Sequence, residues 1–181
     1  LEAPDEDIQK YVGNYMKGWD SLRRKKLTRM KAMNLVSENT RLPENNNPRW
    51  DTLSFSDKLN LDFQRAIYAA QIDRMDRNIG RLIDHLKETG ALNNTLLLFL
   101  SDNGCSAEIG MFGMHWQEHR IDNYEQWKEK SGWSVSQGQA WANASNTPFR
   151  LYKKWTHEGG IAAPLIAHWP KVIDKKGIND Q

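Results

Sequence analysis

The sequence predicts an α/β fold in which long helices pack on a mostly parallel sheet. Two long stretches carry apolar residues at helical spacing. A short run, Thr95-Leu96-Leu97-Leu98-Phe99-Leu100, is apolar on both faces, which suits a central strand covered by helices. A second apolar run, Ile161 to Trp169, reads as another strand with Pro164 near its start.

The first helix is predicted from Pro4, which at the first helical position gives up no hydrogen bond. Asp5, Glu6 and Asp7 follow, and acids in a first turn suit the positive end of the helix dipole. Ile8, Tyr11, Val12, Tyr15, Met16, Trp19 and Leu22 then recur on one stripe. The basic run Arg23-Arg24-Lys25-Lys26, with Arg29 and Lys31, continues this helix as a solvated face. No aromatic or glycine pattern accompanies it, which argues against a nucleic-acid surface. Residues 37–51, polar and containing Asn45, Asn46 and Asn47 in succession, read as a surface loop. A second helix is predicted from Ser56 to Glu88, with Leu59, Phe63, Ala66, Ile67, Ala70, Met75, Ile79, Leu82, Ile83 and Leu86 in period and Gly90 placed to end it. Between the two strands lies a connection of about sixty residues rich in Trp, Gly, Asn and Ser, and a connection that long in a compact domain is usually functional.

Composition bounds the function. With 181 residues, the chain has the size of one ordinary domain. Its 39% hydrophobic and 27% charged residues argue against disorder, and it lacks the long apolar run of a membrane span. A formal net charge of +2 points neither to nucleic acid nor to an anionic membrane. The single cysteine, Cys105, excludes an internal disulfide. The chain starts at Leu1-Glu2-Ala3-Pro4 with no initiator Met or signal peptide, and Gly177-Ile178-Asn179-Asp180-Gln181 closes no element, so residues 1–181 are expected to be a single partial domain.

Two places could do chemistry. Asp102-Asn103-Gly104 follows the first strand directly, and ligands of open α/β sheets bind beyond strand ends. A carboxylate and an amide carbonyl are hard oxygen ligands of the kind Ca²⁺ or Mg²⁺ takes, although the same triplet also reads as a plain turn. Lys153 and Lys154 stand in Arg150-Leu151-Tyr152-Lys153-Lys154-Trp155-Thr156-His157-Glu158-Gly159-Gly160. A lysine held in a packed loop can bind a tetrahedral oxyanion as a point charge, and His157 adds an imidazole near it in sequence; an ordinary charged surface loop is the competing reading.

Four pieces in order change that balance. They are Tyr68-Ala69-Ala70-Gln71-Ile72-Asp73-Arg74-Met75-Asp76 with Ile79-Gly80-Arg81, then Asn94-Thr95 leading to Ser101-Asp102-Asn103-Gly104, then Trp141 through Arg150, and finally Lys153 with Glu158-Gly159-Gly160 and Pro164. Together they resemble the sulfatase family of the alkaline phosphatase-like superfamily, nearest to bacterial arylsulfatases. The opening Ala3-Pro4…Tyr11…Tyr15…Gly18-Trp19-Asp20…Arg23 resembles the region that follows the family's catalytic histidine, so the likeness covers almost the whole chain.

The resemblance implies a partial alkaline phosphatase-like sandwich and a formylglycine- and Ca²⁺-dependent sulfuric ester hydrolase acting on a sulfated small molecule or carbohydrate. It makes Asp102 and Asn103 calcium ligands and Lys153 the lysine that contacts the sulfate. Lys153 is preferred to Lys154 because it stands five residues before Glu158. His119 is placed in a loop lining the substrate entrance, and His157 either near the leaving group or in a structural role. The family nucleophile arises from cysteine in a C-x-[PA]-x-R pattern. Cys105 is followed by Ser106-Ala107-Glu108-Ile109, lacks the arginine, and is expected to be an inert, partly buried thiol. The chain alone is therefore expected to be inactive. A phosphodiesterase or phosphonate monoester hydrolase of the same superfamily is the alternative, as is a fragment or binding module without turnover. The resemblance also implies export to the periplasm or secretion, and an incomplete sheet implies self-association through its open edge.

Overall fold

The fold is known from a computed structural model, which describes residues 2–113, 121–129, 136–174 and 177–178. Five α-helices are described: α1 (Asp5–Ile8), α2 (Gly18–Ala32), α3 (Phe55–Glu88), α4 (Gly138–Ser145) and α5 (Glu158–Ile161). Two strands, β1 (Leu97–Leu100) and β2 (Leu165–His168), complete the regular structure with short 3₁₀ turns.

The single helix expected from Pro4 is instead broken into α1 and α2. Pro4 caps α1 rather than opening it. The intervening chain turns through Gly13 and Gly18, at φ values of 85° and 73°. Both breaks have a partner elsewhere. The Asp62 carboxylate on α3 accepts the Gly13 and Tyr15 amide N–H groups at 2.7 and 2.6 Å, replacing helical hydrogen bonds. At Gly18 the Trp50 ring occupies the space of a side chain, since a Cβ there would lie 2.1 Å from Trp50 Cδ2.

The longer helix follows the sequence closely. Ser54 caps α3 by accepting the Asp57 N–H at 3.1 Å. At the other end Gly90 has φ 71°, and the Gly90 and Ala91 amides bond to the Lys87 and Leu86 carbonyls, a Schellman closure. The two halves of α3 differ in burial. Leu59, Leu61, Phe63, Ala66, Ile67 and Ala70 are buried, whereas Ile72, Met75 and Leu82 are exposed.

Two apolar clusters rest on the buried half. Ile8 of α1 packs with Phe63, Ala66, Ile67, Ala70 and Ile121. Trp19, Trp50 and Trp141 form the second cluster with Leu61, Ala140 and Ala144. Their rings meet edge to face, Trp19 lying 4.8 Å from Trp50 and 5.4 Å from Trp141. Each indole N–H donates to a carbonyl, of Pro48, Met16 and Leu61 respectively, so the aromatic core leaves none of the three unsatisfied.

The basic run is not uniformly solvated. Arg24, Lys25 and Arg29 are exposed. Arg23 is buried and donates to the Pro43 carbonyl at 2.7 Å, and the Lys26 ammonium donates to the Ser145 carbonyl. Arg23 and Lys26 share the face that Trp19 and Leu22 present to the core, and helical spacing carries them inward with it.

The expected strands are present but their pairing differs from the mostly parallel sheet. β1 and β2 pair antiparallel, Leu97 opposite His168 and Leu100 opposite Leu165, and no other sheet occurs among the described residues. Leu98, Leu100, Leu165 and Ile166 are 55–62% exposed. A run apolar on both faces specifies a strand that needs cover; it does not specify the direction of its neighbour.

Candidate active site

β1 delivers the chain into the turn Ser101-Asp102-Asn103-Gly104. The Ser101 hydroxyl donates to the Asn103 carbonyl at 2.9 Å, and the Asn103 Nδ2 donates to the Gly104 carbonyl at 2.9 Å. These local bonds fix the turn and leave the Asn103 Oδ1 without a donor among the described residues. The Asp102 carboxylate is exposed and has no ion pair there. Two adjacent hard oxygens suit a divalent cation in kind. In number they supply only part of a calcium shell of roughly six to eight oxygens, and no group of three or more His, Cys, Asp or Glu side chains gathers among the described residues.

The lysine loop abuts this turn through its backbone. The Lys153 N–H donates to the Cys105 carbonyl at 3.1 Å, and the Gly104 N–H donates to the Gly160 carbonyl at 2.9 Å. The glycines make this approach possible. A Cβ on Gly104 would lie 1.7 Å from the Gly159 oxygen, and one on Gly159 would lie 2.2 Å from the Arg150 and Leu151 oxygens. Leu151 and Lys154 both have positive φ, 63° and 84°, so the loop doubles back on either side of Lys153.

The two lysines differ in surroundings. Lys154 pairs with Glu108 at 2.8 Å, and the hydrogen bond from Lys154 holds the Glu108 carboxyl below its ordinary range. Lys153 is exposed, with no ion pair among the described residues. His157 is also exposed; it stacks on Trp155 at 6.4 Å and opens the short helix α5. His119 lies outside the described residues. Cys105 is a partly exposed free thiol whose Sγ accepts from Gln137 Nε2 at 3.4 Å. Of the tryptophans in the long connection between the strands, Trp141 belongs to the core, whereas Trp155 is 49% exposed and lies two residues after Lys153 in sequence.

Residue-type reasoning gave no role to two side chains that organise this region. Asn146, just past α4, accepts the Cys105 N–H at 3.0 Å and donates to the Leu151 and Gly159 carbonyls at 3.0 and 2.7 Å. Arg65 of α3 donates to Gln137 and to the Ser145 hydroxyl and stacks over Trp141 at 5.5 Å, gripping both ends of α4. Burial pushes the Arg65 guanidinium and the Lys26 ammonium below their ordinary ranges. The available signals were that Asn146 lies in the piece from Trp141 to Arg150 and at the end of a small-residue helix, which mark a motif and a cap but not its distant partners.

Residues 2–181 match the family model described as Sulfatase. The chain belongs to the sulfatase family. It is 35% identical over 176 residues to an arylsulfatase of Klebsiella aerogenes, an alignment covering 95% of this chain and 38% of that protein. It is 34% identical over 189 residues to an uncharacterized sulfatase of Schizosaccharomyces pombe, covering all of this chain and 34% of that one. A human N-acetylgalactosamine-6-sulfatase is 28% identical over 118 residues, 65% of this chain and 17% of its own length. The chain thus spans little more than a third of the first two relatives. Within this sulfatase chain, a groove of about 570 Å³ runs between Glu2, Ala3 and Pro4 and the exposed half of α3. None of Asp102, Asn103, Lys153 and His157 lines it. No helix among the described residues is long and apolar enough to cross a membrane.

Proposed function

We propose that the protein is a sulfuric ester hydrolase of the alkaline phosphatase-like superfamily and that these residues carry part of its catalytic site. One observation carries the reading: the Asp102–Asn103 turn and the Lys153 loop meet backbone to backbone through the Lys153–Cys105 and Gly104–Gly160 hydrogen bonds. Asp102 and Asn103 would supply two oxygen ligands to Ca²⁺, which when bound neutralises charge on sulfate oxygens. The Lys153 ammonium, exposed at the doubled-back loop, binds the sulfate group as a point charge and stabilises it as charge builds during transfer. Lys154, paired with Glu108, is committed elsewhere. Trp155, stacked on His157, offers an aromatic face to the ring of an aryl or sugar sulfate. Relatives named N-sulphoglucosamine sulphohydrolase and N-acetylgalactosamine-6-sulfatase support a sulfated carbohydrate as substrate.

The formylglycine nucleophile does not come from Cys105, because Ile109 stands where the modification pattern needs arginine. The 181 residues alone are therefore without turnover. Export and self-association belong to the same reading, the latter supported by the exposed faces of Leu98, Leu100, Leu165 and Ile166.

The test is hydrolysis of an aryl sulfate, with a phosphodiester as comparison. The full-length protein is expected to cleave the sulfate in calcium, to lose activity in chelator and to regain it on calcium addition, while the isolated chain stays inactive. Turnover by the isolated chain, or a preference for the phosphodiester, would overturn the proposal.

A further inference from the structure

We propose that Asn146 is a positioning residue that sets the Lys153 loop against the Asp102–Asn103 turn. The inference rests on the reading of those two segments as one sulfate-ester site and adds to it the part that fixes their separation.

The segments that must be held together are far apart in sequence and contain little that could hold them through side chains. The turn is short and local. The loop doubles back through two residues at positive φ. Direct contact between them consists of the Lys153–Cys105 and Gly104–Gly160 backbone hydrogen bonds, with the exposed Lys154–Glu108 ion pair just past the turn. Asn146 joins both at once. Its Oδ1 takes the Cys105 N–H on the turn side, and its Nδ2 gives one hydrogen each to Leu151 and Gly159 on the loop side. Only a primary amide offers an acceptor and two donors in one rigid plane at this size. The amide therefore measures the gap between turn and loop with three bonds. Gly104 completes the fit, because a Cβ there would come within 3.0 Å of the Asn146 Nδ2 and still closer to the Gly159 oxygen.

Asn146 is itself anchored. It caps α4 through its own N–H to Ala142, and α4 is held to α3 by Arg65 and to α2 by Lys26. From the other end of α4, Gln137 reaches the Cys105 sulfur at 3.4 Å. Both ends of one short helix thus touch Cys105, the residue that follows the turn. The rigid core is connected to the exposed site by this route, with the three-bonded amide as its last link.

The substitutions Asn146→Ala and Asn146→Asp separate this role from general support of the fold. Ala removes all three bonds. Asp keeps the acceptor for Cys105 but sets a carboxylate against the Leu151 and Gly159 carbonyls, and it regains one donor only when protonated. In the full-length protein, with thermal denaturation confirming a folded state, amide hydrogen exchange at Cys105 and Lys153 is expected to speed up at least about tenfold in Asn146→Ala. In Asn146→Asp exchange relative to wild type is expected to fall back toward wild type as the carboxyl takes up its proton. kcat/KM for an aryl sulfate is expected to drop about 10²-fold in Asn146→Ala, the scale on which small misplacement acts, and the Asn146→Asp loss to shrink at acid pH. Unchanged exchange in Asn146→Ala, or an Asn146→Asp defect equal at every pH, would overturn the inference. Wild-type protein that cleaves no sulfate ester would instead defeat the reading of the site, and the exchange result would still decide whether Asn146 couples the two segments.

Discussion

Gly104 has no room for a side chain: the Gly159 carbonyl oxygen occupies the position a methyl group would need, 1.7 Å from an ideal Cβ. Gly104→Ala must therefore either push the turn away from the loop or break the Gly104–Gly160 hydrogen bond. A loss of about 3 kcal/mol in urea denaturation is expected, the upper range for overpacking, together with loss of activity in the full-length enzyme. Full retention of stability would show that the two segments do not touch as described. The glycine was in plain view in the sequence, in the same stretch as Asp102 and Asn103, the residues proposed for the site with Lys153. Its reason was not, because a D-N-G triplet announces a local turn while the requirement comes from a carbonyl far along the chain. Asn146 was hidden in the same way. A lone amide after a helix has many possible partners, and only folding selects three.

Among the elements, the α1–α2 region shows what periodicity misses. The apolar stripe from Ile8 to Leu22 is real and faces the core, yet the helix breaks between its ends because Asp62 offers the Gly13 and Tyr15 amides a stronger acceptor than a helical carbonyl. Asp62 also accepts the Tyr124 hydroxyl at 2.8 Å, and burial outweighs these bonds to raise its carboxyl above the ordinary range. Asp62→Ala strands three donors in a largely buried place and is expected to cost about 3 kcal/mol by chemical denaturation; a cost within experimental error would disprove the capping role. Asp7 shows the opposite shift. The hydrogen bond from Lys10, then the hydrogen bond and charge of Arg77, outweigh desolvation and hold it below its ordinary value of 3.8. Arg74 completes the link between α1 and α3. A depressed carboxyl stabilises the fold fully above its unfolded value and loses that contribution as pH falls through the folded value. Below about pH 4 the wild type is thus expected to lose stability more steeply than Asp7→Asn, measured as melting temperature against pH; parallel curves would contradict the assignment.

For the molecule as a whole, the sequence located both long apolar patterns, both strands and the Gly90 helix stop. It predicted a mostly parallel sheet where β1 and β2 pair antiparallel, and it did not divide α3 into a buried and an exposed half. Hydrophobic period reports which face needs cover but not what supplies it, so Ile72, Met75 and Leu82 read the same as the buried Phe63 and Ile67. The site depends on this larger arrangement: α3 holds α4, α4 holds Asn146 and Gln137, and these hold the turn against the loop. A double-mutant cycle between Asp102→Ala and Lys153→Ala in the full-length enzyme, read as kcat/KM for an aryl sulfate in calcium, tests whether the turn and the loop serve one anion. Each single change is expected to cost about 10²- to 10³-fold, and the double change much less than their product, because both groups act on the same charge. Losses of only a few-fold, or losses that simply multiply, would contradict a shared site.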